Sequence, residues 1–138
     1  MTATQPAIDH NTLDYRCDRL DNGIYHVTFH NATHRAVDRH IEELTALYKA
    51  SSHHDRFRML MDLRQVGWPP MAYMFQQMTR LNRRYLYHPT CRMAFLHGPD
   101  IHIGMGYTYF SLMYPRGKAK FFKGRQFDAA IAWLLANN

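Results

Sequence analysis

At 138 residues, with 46% apolar and 20% charged side chains, the chain has the make-up of one globular domain with a single core, which excludes a disordered or low-complexity protein. Its formal charge of +6 suits an anionic partner, yet a moderate charge also keeps a small domain soluble and by itself selects neither nucleic acid nor membrane. No apolar run approaches the roughly 20 residues that cross a bilayer, and Met1-Thr2-Ala3-Thr4-Gln5-Pro6 does not read as an export signal, so a cytoplasmic protein with Cys17 and Cys91 as reduced thiols is expected.

Residues 1–12 are polar and aperiodic, as in a flexible tail, and 13–138 read as one domain. Tyr15 to Leu20 and Ile24 to His30 alternate as strands, and Asp21-Asn22-Gly23 between them is a hairpin turn. After Asn31 and Thr33, either a helix cap, Val37, Ile41, Leu44 and Tyr48 form the apolar stripe of a helix. Phe57 to Leu63 is a nearly continuous apolar run, expected of a central strand covered on both faces.

Pro69 and Pro70 open a second helix with Met71, Met74, Met78, Leu81 and Tyr85 on one side. Cys91 to His97 is a further buried strand, closed by Gly98-Pro99-Asp100. A third helix over 101–114 has almost no polar face and predicts cover on both sides. Lys118 to Lys123 is a last strand, and Asp128 is placed to cap a final helix. The order ββαβαβαβα defines an α/β sandwich: a mostly parallel sheet with an antiparallel first strand and covering helices.

Three segments carry a family resemblance: Leu20-Asp21-Asn22-Gly23-Ile24, Phe57 to Leu63, and the close Gly124-Arg125-Gln126-Phe127-Asp128-Ala129-Ala130-Ile131-Ala132-Trp133-Leu134. With the element order, they resemble the STAS domain and, within it, the SpoIIAA-like group of small bacterial proteins. The resemblance implies a non-enzymatic regulatory or protein-interaction module. In the anti-anti-sigma branch, a serine at the start of the helix after the third strand is phosphorylated to switch partners. Here the segment from Asp62 to Met71 has no Ser or Thr, and none follows before Thr79, so classical phosphorylation-driven switching is not expected. The structural grouping with SEC14-type domains implies an alternative role, as carrier or sensor of a small apolar or amphipathic, lipid-like ligand.

In an open α/β sheet, ligands bind outside the carboxyl ends of the parallel strands. Those ends carry His30, Asn31 and His34, then Asp62, Arg64 and Trp68, then His97, Asp100 and His102. Their competing role is structural, with Asp62 and Asp100 capping helices and Arg64 paired to one of them. A second candidate surface is the Met- and Tyr-rich pair of helices. Met71, Met74, Phe75 and Met78 from one, and Tyr107, Tyr109 and Phe110 from the other, suit a homodimer interface or an apolar ligand held between the second and third helices.

Other chemistry is weakly encoded. His26 and His30 on one strand lie roughly 13 Å apart at about 3.3 Å per residue, too far to share a metal; His97, His102 and His34 would do so only if their loops converge. Gly104-Met105-Gly106 lacks the third glycine of a dinucleotide loop. Lys118, Lys120 and Lys123 with Arg116 and Arg125 form the strongest basic cluster, read first as protection of an edge strand and second as a phosphate site. Nucleic-acid binding is not expected without a recognition motif. No nucleophile elbow or carboxylate pair marks an enzyme, and neither a metal nor a cofactor is expected.

Overall fold

The computed structural model describes residues 14–136. Its elements are β1 (Tyr15–Arg19), β2 (Tyr25–Phe29), α1 (His34–Ala50), β3 (Arg56–Leu63), α2 (Met71–Arg84), β4 (Thr90–His97), α3 (Ile103–Met113), β5 (Lys118–Lys123) and α4 (Phe127–Leu135). The order is the expected one, whereas the tail expected over 1–12 lies outside the described residues.

The five strands lie in the sheet in chain order, with β1 antiparallel to β2 and every later neighbour parallel. The opening hairpin is closed by Leu20 N donating to Ile24 O at 2.8 Å, and Asn22 Oδ1 accepts from Ile24 N at 3.1 Å. Because β2 to β5 are added in one direction, right-handed crossovers put α1, α2 and α3 on a single face. Their large core includes Val37, Leu44, Met74, Met78, Tyr109 and Phe110 against Met59, Met61, Met93 and Phe95 of the sheet. Helix α4 makes no crossover and takes the other face, where Ala130 and Leu134 meet Ile24, Leu60, Ala94, Leu96 and Phe122.

Thr33 is the cap of α1, its hydroxyl accepting from Ala36 N at 3.1 Å. Two expectations at helices need correction. Asp128 is not a cap: α4 begins at Phe127, and Asp128 sits in its first turn, where its charge favours the positive end of the helix dipole. Helix α3 is covered on one side only. Gly106, Tyr109, Phe110 and Met113 turn inward, while Gly104, Tyr107, Thr108, Ser111 and Leu112 are exposed. Glycine and two small hydroxyl residues make that outer face tolerable to water without any charged residue.

The amphipathic stripe of α1 also conceals a polar group. His40 is fully buried beside Tyr15 and Phe29, and it shares a hydrogen bond of 2.9 Å with the Tyr15 hydroxyl. Burial lowers the pKa of its ring from 6.5 to about 3, since the charged form cannot be solvated there. The unfolded chain therefore binds a proton that the folded chain refuses over that interval. The stabilising contribution is complete above pH 6.5 and is lost as pH falls towards 3. Urea unfolding should show that going from pH 7 to pH 5 costs the wild-type protein roughly 2 kcal/mol more than it costs His40→Gln.

Candidate functional site

The carboxyl ends of β3, β4 and β5 and the loops that follow them form the main concave surface. Asp62, near the end of β3, is buried and accepts four hydrogen bonds. Arg64 supplies three, from Nη2 at 2.7 Å, Nε at 3.0 Å and its backbone N at 3.2 Å, and His26 Nε2 supplies one at 3.1 Å. Burial alone would raise the Asp62 pKa. The bonds from His26 and Arg64 outweigh it and hold the carboxyl well below the usual carboxylate range.

This node reaches across the domain. Arg64 Nη1 also donates to Gly124 O at 3.4 Å, in the turn before α4. Its guanidinium lies 5.8 Å from the ring centre of Phe127, and His26 meets the same ring edge-on at 5.7 Å. Strands β2 and β3 and the start of α4 are thus fixed relative to one another by a single carboxylate and its donors.

Two open clefts flank Gly98-Pro99 in the loop after β4. One, of about 430 Å³, runs between the β3–α2 and β4–α3 connections and is lined by Arg64, Gly67, Trp68, Asp100, Ile101 and His102 among others. The other, of about 530 Å³, lies between that loop and the β5–α4 turn, against His97, Lys123, Gly124 and Arg125. Gly67 has φ +72°, which lets the β3–α2 connection turn back under Trp68. The Trp68 indole donates to His102 O at 3.1 Å, and His102 Nδ1 accepts from Met105 N at 3.1 Å to cap α3. His97 Nδ1 donates to Gly98 O at 2.7 Å, which leaves Nε2 an acceptor in the neutral ring.

An aromatic layer supports the first cleft. Trp68 packs edge-on against Phe95 at 5.5 Å, and Phe95 stacks on Phe121 at 4.6 Å. Gly106 makes room for that layer, because a Cβ there would collide with Phe121 and lie 2.6 Å from Trp68. The exposed Tyr107 ring covers Phe121 from α3 at 4.8 Å.

The strand-end residues expected from topology are therefore together: Arg64, Trp68, Asp100 and His102 around one cleft, His97 at the other, and Asp62 holding Arg64. Asp100 caps no helix, since His102 does so. His30 joins the same edge through Gln65, to which its Nδ1 donates at 2.8 Å, and His34 stacks on Tyr73 at 3.9 Å. Among the described residues, no three histidines, cysteines or acids are grouped to hold a metal ion.

The helix residues fall elsewhere. Met74, Met78, Tyr109 and Phe110 are sealed in the large core, Met71 and Phe75 are half-buried at its margin, and only Tyr107 of that set is exposed. The expected ligand space between α2 and α3 is filled. Phe75 meets Tyr109 edge-on at 5.4 Å, and the cavity beside Met71, Met74 and Tyr109 measures about 10 Å³, at most one water. Sequence reasoning missed the contribution of His26 to Asp62 and the shared wall of Gly98-Pro99. The latter did have a signal, a Gly-Pro-Asp turn directly after a buried strand.

A mostly parallel sheet with an antiparallel first strand, helices on both faces and open clefts at the strand ends defines a STAS-type α/β module. The family model described as SpoIIAA-like matches residues 25–135, and the chain belongs to that family. No curated protein and no solved structure matches it.

The Asp62 node yields a direct test. Asp62→Asn should lower stability at pH 7 by roughly 1–3 kcal/mol in urea unfolding, less than for a sealed ion pair because Arg64 is partly exposed. The folded pKa of Asp62 lies below its unfolded value of 3.8, so the carboxylate's contribution is complete above that value and lost as pH falls through the folded one. The gap between wild type and variant should accordingly be flat from pH 7 to 5 and narrow in stronger acid.

Proposed function

We propose that this protein is a non-catalytic regulatory module that recognises a partner protein with its strand-end face, independently of its own phosphorylation. The observation that carries this reading is the pair of open clefts on either side of Gly98-Pro99, offering Arg64, Lys123 and Arg125 beside an aromatic layer. Arginine beside aromatic side chains, as Arg64 lies beside Trp68 here, is what protein interfaces favour. Family membership supports an interaction role. The β3–α2 connection, Arg64-Gln65-Val66-Gly67-Trp68-Pro69-Pro70, has no hydroxyl to phosphorylate, and that favours constitutive binding. Burial pushes the Cys17 thiol up to about 12 and raises that of Cys91 as well, which argues against a cysteine nucleophile.

Self-association is a second reading. Ile103, Tyr107 and Leu112 on α3 are 39%, 48% and 62% exposed, an apolar set that suits a homodimer contact. Tyr109 points into the core, so Leu112→Asp is the substitution that would separate a dimer without breaking the fold.

The partner face is tested by capturing binding proteins with purified wild-type protein and measuring the recovered complex by calorimetry. Pro99→Asp should weaken binding at least about tenfold with an unchanged circular dichroism spectrum, and phosphatase treatment of this chain should have no effect. Undiminished affinity in Pro99→Asp, or loss of binding after phosphatase, would contradict the reading.

A further inference from the structure

The opposite end of the sheet, where the parallel strands begin, concentrates positive charge. Arg58, Arg92 and Lys118 occupy one cross-strand row on β3, β4 and β5, and Arg56 begins β3 opposite Thr90. Like charges directly across a sheet destabilise it. Part of that cost is offset by α4, whose last turn lies over the row: Arg58 Nε donates to Leu134 O at 2.6 Å and Arg92 Nε to Trp133 O at 3.0 Å. Helix carbonyls carry only partial negative charge. No ion pair among the described residues involves Arg56, Arg58, Arg116 or Lys118. The nearest acid in sequence, Asp55, uses its carboxylate on Ser52 N at 2.8 Å.

Between these cations lies a cavity of about 40 Å³, lined by Arg56, Thr90, Cys91, Arg92, Arg116 and Lys118. Its geometry is built rather than loose on one side. Arg92 is 5% exposed and lies 4.0 Å over the Trp133 ring, and Arg116 is anchored by one Nη2 bond to His88 O at 2.9 Å. A guanidinium carries five donors, so that bond leaves most of the Arg116 fork for another acceptor. Burial and the charges of Arg58 and Arg56 push the Arg92 pKa down from its ordinary value, the response of a cation held among cations. At about 30 Å³ per water in the liquid, the cavity itself holds about one water, and it opens past the exposed Arg56, Arg116 and Lys118. A small tetrahedral oxyanion seated at that mouth meets all three cations, and a nucleoside is too large to enter.

We propose that this pocket binds a phosphate-class oxyanion, with Arg56, Arg116 and Lys118 as charged donors, the Thr90 hydroxyl, which would leave its long 3.5 Å bond to Asp55 O, as a neutral one, and Arg92 as the fixed positive wall. The group would come either free in solution or on a lipid headgroup. Its place at the amino ends of the strands separates it from the strand-end clefts, so failure of either site leaves the other standing.

Inorganic phosphate titrated against chloride at equal ionic strength, followed by amide chemical shifts, tests it. The expected result is saturable shifts centred on Thr90 and Gly117, with Arg56→Gln/Lys118→Gln weakening binding at least about tenfold. Both substituted residues are exposed. Arg16→Gln/Arg80→Gln, which changes the net charge equally, should bind as wild type. Phosphatidic acid vesicles that bind and are displaced by phosphate would assign the lipid source, and phosphate binding without vesicle binding the free one. No shifts beyond those in chloride, equal weakening in both double variants, or duplex DNA binding in the absence of phosphate binding would overturn the proposal.

Discussion

Among the described residues, one helix covers the back of this five-stranded sheet, and arginines in or just after its central strands hold it at both ends. At its start, Arg64 reaches Gly124 O and the face of Phe127 while tied to Asp62. At its finish, Arg58 and Arg92 take the carbonyls of Leu134 and Trp133. A nine-residue helix is too short to be stable on its own. Ala130 and Leu134, with Phe127, Ile131 and Trp133 around them, give it an apolar footing, and the charged clamps tie its two ends to fixed points of the domain.

Both proposed binding ends follow from that arrangement. The Asp62 node that anchors the start of α4 also fixes Arg64 at the rim of the first cleft, and the β5–α4 turn contributes Lys123, Gly124 and Arg125 to the second. At the other end, two arginines in buried strands are tolerable only because helix carbonyls accept from them. The same end of the sheet brings Arg56, Arg116 and Lys118 together around a small cavity. The domain thus keeps its apolar mass on the three-helix face and its charge chemistry at the two ends of the sheet.

Much of the fold was legible in the chain. The Asn-Gly turn, the two apolar strand runs, the paired prolines and the lysine-rich edge strand each correspond to the element they predict. The strand order alone also assigns Arg64, Trp68, His97, Asp100 and His102 to one edge. What escaped were partnerships across long sequence distances. His26 and Asp62 are 36 residues apart, and Arg58 meets Leu134 across 76; neither local spacing nor periodicity contains such pairs. His40 was hidden because a histidine on a helix stripe gives no sign of the tyrosine that bonds its Nδ1. The methionines and tyrosines of α2 and α3 misled for another reason: core, pocket and interface draw on the same residue types, and only burial distinguishes them.

Native-state hydrogen exchange of wild type and Arg92→Met tests the central claim most directly. Methionine keeps an apolar chain over Trp133 and removes the charge and its bond to the helix end. If the clamps place α4, amides from Ala130 to Leu135 should lose protection selectively while α1, α2 and the central strands retain theirs. Unchanged protection of α4 in the variant would show that apolar packing alone holds the helix and would contradict the account.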